Sequence, residues 1–269
     1  MFARLGLRSW KSMPLWLIML AIVGVAFAVN SARMAKEHNE RHQCTNNLKQ
    51  IGLGLHNYAS AFDSLPPAGL GPESIPAGDR ISWLLGIGPF LESHPMWRSI
   101  NHDRPWDDAC HAALRQAHMW LVDCPSVTNP VRADGSFSTF YVGITGVGPD
   151  SATLPATHPR AGAFGITRTI KFSDIKDGFS TTMVVSETSQ IQGAWIQAGA
   201  ATTRAVDTAE RPYIGPNRPF GGNHRGGVYV LFADGSVRFA KDRVNPTVFE
   251  SMATINGNDP YRMGALEGD

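Results

Sequence analysis

The sequence predicts an α+β protein in which one long N-terminal helix packs on an antiparallel β-sheet, with additional short helices and long loops. Three observations predict it. Met13 to Val29 is an apolar run of 17 residues without a charge. From Leu48 the apolar residues fall at Ile51, Leu55, Tyr58 and Phe62, spacings of 3, 4, 3 and 4 that mark one face of a helix. Gly227 to Ala240 holds two apolar stretches flanking Asp234-Gly235, the pattern of a tight hairpin.

The apolar run sits at the short end of what crosses a bilayer, since about 20 helical residues cover the hydrocarbon core. Arg4, Arg8 and Lys11 precede it with no acid among them. The reading is therefore a short cytoplasmic segment (1–12), a transmembrane anchor (13–30), an amphipathic stalk helix (31–66) and an extracytoplasmic α+β head (67–269). Residues 13–30 would meet the lipid bilayer of a bacterial inner membrane once, leaving the head in the periplasm or at the cell surface. A basic start followed by Ala26-Phe27-Ala28 also fits a secretory signal cut after Ala28. Helical patterning continues past the apolar run, which favours the anchor. Pro66-Pro67 ends the helix. Its second half is apolar on one face only and must cover that face with a sheet. Gly52 and Gly54 would weaken it locally but permit close approach.

Further along, Ser82 to Ile100 reads as short helical pieces broken by Pro89 and Pro95. Asp107-Asp108 opens a helix to about Val122. Phe137 to Val142 and Thr181 to Glu187 read as strands. Gly146 to Ala163 reads as an irregular loop, and Gly193 to Pro219 as strand-poor, its polar middle from Thr202 to Arg211 an exposed excursion. Asp234-Gly235 suits a type I′ turn. Asn245 caps a final helix with Pro246 at its first position; Val248, Phe249 and Met252 face inward and Gly257 stops it.

With 24 Lys+Arg against 23 Asp+Glu, the net charge of +1 gives no electrostatic reason to expect nucleic acid as a partner. His38 and His42 have a metal-compatible spacing, but the surrounding residues (EHNERH) read as a solvated face and no third ligand is evident. His111 and His118, seven apart, carry less. Gly221-Gly222 and Gly226-Gly227 lack the Lys-Ser/Thr of a phosphate loop. Ser186-Glu187 and the isolated His224 form no nucleophile–base–orienter set. No catalytic residue, cofactor or metal ligand is assigned, and an enzyme is not expected. Cys44 and Cys124, in an oxidising compartment, pair as a disulfide joining stalk to head and leave Cys110 free; the alternative is two unrelated buried thiols. His224, Asp234 and Gly235 form an H-x9-D-G element. It is either a binding surface or, as physics alone favours, a turn aspartate with a histidine bonded to nearby backbone.

Cys44 to Pro67 (CTNNLKQIGLGLHNYASAFDSLPP), Ile81 to Leu91, Cys124-Pro125-Ser126, Ala163 to Glu187 and Phe220 to Phe239 together resemble, in the same order, the bacterial family called domain of unknown function 1559. The last segment matches that family's H-x9-D-G element at His224, Asp234 and Gly235. The resemblance covers Cys44 to Gly257. It implies a pilin-like fold and a structural or binding role in the envelope, linked to a type II secretion or type IV pilus-like system. The implied partner is another envelope protein or pilin-like subunit. It carries over no catalytic residue. The alternative function is a secreted or periplasmic module binding a small molecule or glycan, helped by the seven Trp. The chain departs from a prepilin leader: Ser12 to Ile18 offers neither the Gly nor the Glu at the fifth mature position. A permanent single-pass anchor therefore fits better than prepilin processing.

Overall fold

The computed structural model describes residues 15–91, 95–127, 130–166, 168–257 and 266. Arg4, Arg8, Lys11 and the leader positions up to Pro14 lie outside them. The fold is α+β and pilin-like, and the chain divides into two compact units, residues 1–40 and 41–269.

The first unit is described from Leu15, where helix α1 (Leu15–Phe62) begins. No charged residue falls between Leu15 and Ala32. α1 is long and apolar enough to cross a membrane. Its apolar side chains stand outward, Leu15 80% and Phe27 74% exposed. Water would penalise such a surface and hydrocarbon would not.

In the second unit Leu48, Ile51 and Leu55 of the predicted stripe enter one core together with Ala59; Tyr58 is half-buried against it and Phe62, at the end of the helix, is exposed. The helix stops after Phe62 because Asp63 turns left-handed (φ 57°) ahead of the two prolines. Short strands β1 (Gly69–Leu70) and β2 (Ile81–Ser82) form a small ladder. They lead into α2 (Trp83–Ile87), followed by single 3-10 turns at Gly88–Phe90 and Pro95–Ser99. These are the short helical pieces that Pro89 and Pro95 announce.

The main sheet has five strands, β3 (Tyr141–Val147), β4 (Met183–Glu187), β5 (Thr203–Val206), β6 (Gly227–Phe232) and β7 (Val237–Lys241), in the order β5-β3-β4-β6-β7. Three of its ladders are antiparallel; β5 joins β3 in parallel. β6 shows how the sheet divides the interior. Val228, Val230 and Phe232 point into one core, while Tyr229, Leu231 and Ala233 face the α1 side. That is the period of two expected of a strand covered on both faces. The core opposite α1 is closed by α4 (Pro246–Met252) through Val248, Phe249 and Met252. Gly52 of α1 lies against Leu231, where an added Cβ would come within 3.0 Å of Cδ1. Gly54 meets Leu91 in the same way.

Five local expectations are corrected. The helix foreseen from Asp107 reduces to a 3-10 turn and α3 (Ala112–Arg115), because the carbonyl of Arg115 accepts from Phe137 N at 3.0 Å instead of continuing the helical ladder. The strand foreseen at Phe137 begins at Tyr141; the residues before it bond irregular segments, Phe140 N donating to Val122 O. The excursion foreseen at Thr202 to Arg211 contains β5, whose Thr203, Arg204 and Val206 are buried. The hairpin turn is not type I′. Asp234 keeps a negative φ and only Gly235 is left-handed (φ 81°). Phe232 N donates to Ser236 O and Gly235 N to Phe232 O, a three-residue loop with a glycine bulge. The final helix keeps its foreseen start, Asn245 Oδ1 accepting from Thr247 N at 2.9 Å, but ends at Met252 ahead of Gly257.

Candidate functional site

Four chemistry-bearing side chains from distant parts of the chain converge beside the middle of the sheet. Cys44 comes from α1, one turn before the buried stripe. Cys124 follows the 3-10 turn Trp120–Val122. Glu187 is the last residue of β4, and His224 lies in the loop before β6. All four are buried, and one donor atom from each lies within 4.8 Å of every other. The two sulfurs stand 3.2 Å apart and both cysteines are free thiols. His224 Nε2 lies 3.3 Å from Glu187 Oε1, an ion-pair distance whose angles fall short of a hydrogen bond.

Neighbouring groups fix these side chains. Glu187 Oε2 accepts from Tyr229 N at 2.8 Å, which orients the carboxylate and leaves Oε1 facing the cluster. The rings of His224 and Tyr229 meet edge to face at 5.7 Å. Asn47, one turn along α1 from Cys44, donates to the carbonyls of Trp120 (3.2 Å) and Asp123 (3.0 Å) and to Tyr141 Oη (3.3 Å). It thereby ties the segment carrying Cys124 to the helix. Arg41 donates to the carbonyl of Arg225 at 2.8 Å, beside His224.

The electrostatics follow from this crowding. Hydrogen bonding to Cys44 is the largest influence on Cys124 and, with help from His224 and against burial, brings its thiol down to about 6. Hydrogen bonding to Cys124, then burial, pushes Cys44 far up. Burial would lower His224, but Cys124 and Glu187 outweigh it and hold the imidazole at about 9. Burial pushes the Tyr141 phenol well above its ordinary value. The arrangement offers two sulfurs, one imidazole nitrogen and one carboxylate oxygen, a set able to hold a divalent transition metal. The same two sulfurs are also close enough to approach a disulfide.

Of the residues singled out in the sequence, Cys44, Cys124 and His224 come together, with Cys110 exposed elsewhere. Asp234 and Gly235 do not join them. They lie beyond the far end of the six-residue strand β6, about 20 Å from its start at 3.3 Å per residue. Asp234 serves the turn, accepting from Ser236 N at 2.9 Å. His224 meets Glu187 and Cys124 rather than the backbone. Neither His38 nor His42 belongs to the four-donor group. His111 is a satisfied core residue, its Nδ1 2.9 Å from Pro105 O and its Nε2 accepting from Asn101 N. His118 pairs with Asp123 at 2.9 Å. The sequence reading set Ser186-Glu187 beside His224 only to dismiss a catalytic set, and did not foresee Glu187 as the histidine's neighbour at 3.3 Å. A signal was present: the four donors fall one each into four of the five segments that resemble the family.

Trp83 and Trp195 are core residues, and the Trp83 indole donates to Thr202 O at 2.8 Å. Trp97 instead lines a cavity of about 290 Å³, with Leu91, Met96, Leu114, Met119 and Trp120.

Residues 33–213 and 197–247 match the family described as Protein of unknown function (DUF1559). No curated protein and no solved structure matches the chain. Since the family match spans most of the sequence, the chain belongs to the DUF1559 family.

Proposed function

We propose that this protein is a membrane-anchored, pseudopilin-like envelope protein with a structural or binding role and no catalytic activity. The observation that carries the reading is α1, whose charge-free stretch from Leu15 to Ala32 presents apolar side chains outward. At 1.5 Å per residue such a stretch extends about 27 Å, close to the roughly 30 Å of a bilayer's hydrocarbon. In this reading the span crosses the bacterial inner membrane once. Residues 41–269 stand in the periplasm or at the cell surface, where another envelope protein or pilin-like subunit of a type II secretion or type IV pilus-like system is the partner. Family membership and the helix-on-sheet fold support it.

The test is alkaline extraction of membranes from cells making the full chain, followed by N-terminal sequencing of the retained protein. The expected result is a membrane-bound protein whose N-terminus precedes the apolar run. A soluble protein beginning at Val29 would overturn it. A second reading, a module binding a small apolar molecule or glycan, rests on the cavity beside Trp97 and Trp120. Ligand-dependent quenching of tryptophan fluorescence, lost in Trp97→Ala and Trp120→Ala, would favour it.

A further inference from the structure

We propose that Cys44, Cys124, Glu187 and His224 form a closed, structural zinc site inside the second unit. This goes beyond the envelope reading and does not depend on it.

The first argument is distance. With zinc–sulfur bonds of about 2.3 Å and zinc–nitrogen or zinc–oxygen bonds of about 2.0–2.1 Å, ligands on one tetrahedral ion stand roughly 3.3–3.8 Å apart. The histidine and glutamate atoms stand 3.3 Å apart, the two sulfurs 3.2 Å, and no pair of donors exceeds 4.8 Å. Small side-chain rotations bring all four onto one centre.

The second argument is unmet polarity. His224 Nε2 and Glu187 Oε1 are both buried without a hydrogen-bond partner, their side chains 1% exposed, and both face the cysteines. At 3.3 Å they face each other at ion-pair distance but neither makes a hydrogen bond, an arrangement that native interiors rarely hold. A cation between them satisfies both. A disulfide between Cys44 and Cys124 would leave both as they are.

The third argument is preparation. Glu187 Oε2 is already held by Tyr229 N, so Oε1 is the free arm. Asn47 and Arg41 fix the backbone on either side of the cluster. Metal ligands are commonly oriented by such outer contacts.

The donor chemistry selects the ion. Two sulfurs and an imidazole suit zinc and other borderline-soft metals, whereas calcium and magnesium demand oxygen. Four protein ligands leave no position for water or substrate, so the ion stabilises and does not catalyse. On binding, zinc takes both sulfurs as thiolates, Glu187 as carboxylate and His224 as neutral imidazole, and every proton that the thiols and the imidazole carry beforehand leaves to solvent.

The test uses the full chain, purified in detergent without chelator or reductant. Elemental analysis should give one zinc per chain. Unfolding with alkylating reagent and chelator should then label Cys44, Cys124 and the exposed Cys110 alike. Replacing zinc by Co2+ should give thiolate-to-cobalt charge-transfer bands and the visible spectrum of a tetrahedral ion. Glu187→Gln and His224→Ala should weaken Zn2+ binding by at least about tenfold. Cys110→Ser should leave binding and spectrum unchanged. Metal-free protein with Cys44 linked to Cys124 would overturn the proposal. So would three free thiols with no Zn2+ or Co2+ taken up on addition, or variants at Glu187 and His224 that bind zinc as tightly as the parent.

Discussion

Replacing Arg168 by Met should remove about 3 kcal/mol from the second unit, because one guanidinium holds an entire irregular segment in place. Its Nη1 donates to the carbonyls of Ser151 (2.7 Å) and Leu154 (2.6 Å). Its Nη2 donates to those of Thr145 (2.8 Å), Gly162 (2.9 Å) and Phe164. These acceptors lie in residues 145–164, a stretch with little regular structure of its own. Burial lowers the Arg168 guanidinium to about 10, so it remains charged at neutral pH. Charged hydrogen bonds contribute about 1.5–3 kcal/mol each, so the four N–H groups of Nη1 and Nη2 set an upper limit of about 6–12 kcal/mol. Much of that limit is offset. Met also removes the cost of burying the charge, and the Arg168 Nε has no hydrogen bond to lose. Carbonyls nearer the surface regain water. A net loss of about 3 kcal/mol corresponds to roughly 6–12 °C in the melting temperature of a domain this size. Thermal unfolding of parent, Arg168→Met and Arg168→Lys, read with hydrogen exchange over residues 145–164, checks the estimate. Lys should fall between the other two, since one ammonium cannot span the carbonyls. A Met variant melting within about 1 °C of the parent would refute the reasoning, and so would a destabilised variant with unchanged protection across that segment.

Asn47→Ala should cost about 2–3 kcal/mol, by removing three hydrogen bonds and leaving the Asp123 carbonyl only the longer bond from the Tyr141 hydroxyl at 3.4 Å; denaturant unfolding reads it. Gly235→Ala forces a side chain into a left-handed position and should cost about 1–2 kcal/mol, measured the same way, whereas Gly226→Ala at the other end of β6 tests whether that cost is general to positive φ. Asp108, Asp134 and Asp150 are held below the usual carboxylate value by Cys110 N, by Ser136 and by Arg160 respectively. The unfolded chain takes protons first as pH falls, so this contribution is present above pH 3.8 and lost as pH drops below it. Melting temperatures from pH 6 down to pH 3 should show the decline, and Asp150→Asn should make it shallower.

How much of this was legible depended on how local each signal was. The stripe and the Asn245-Pro246 start each rest on residues within a turn or two; the structure keeps the capped start and keeps the stripe from Leu48 to Leu55, while Phe62 at its end is exposed. The β6–β7 hairpin was also local; only its turn type differed, because Asp234 keeps a negative φ where a type I′ turn needs a positive one. β5 was hidden because its Thr-Arg-Ala-Val has no apolar alternation; its place is set by parallel pairing to β3, some 60 residues earlier in the chain. The helix after Asp107 failed for a similar reason, since the competing donor, Phe137 N, comes from a distant residue. The four-donor cluster was the least legible. Sequence paired Cys44 with Cys124 and His224 with Asp234, but only the closing of β4 against β6 brings Glu187 to the histidine.

Strand β7 ends the sheet, and what it displays bears on how copies of this protein meet. An outermost strand offers main-chain groups to any passing chain and so invites runaway stacking. Here Arg238 and Lys241 sit on that rim, the former over the ring of Phe232. Two molecules approaching rim to rim would have to bury the Lys241 charge and the Arg238–Asp234 ion pair, whose partners stand 3.8 Å apart. Crowding on a surface would therefore leave such neighbours apart along this margin, and any orderly assembly would have to begin elsewhere on the molecule.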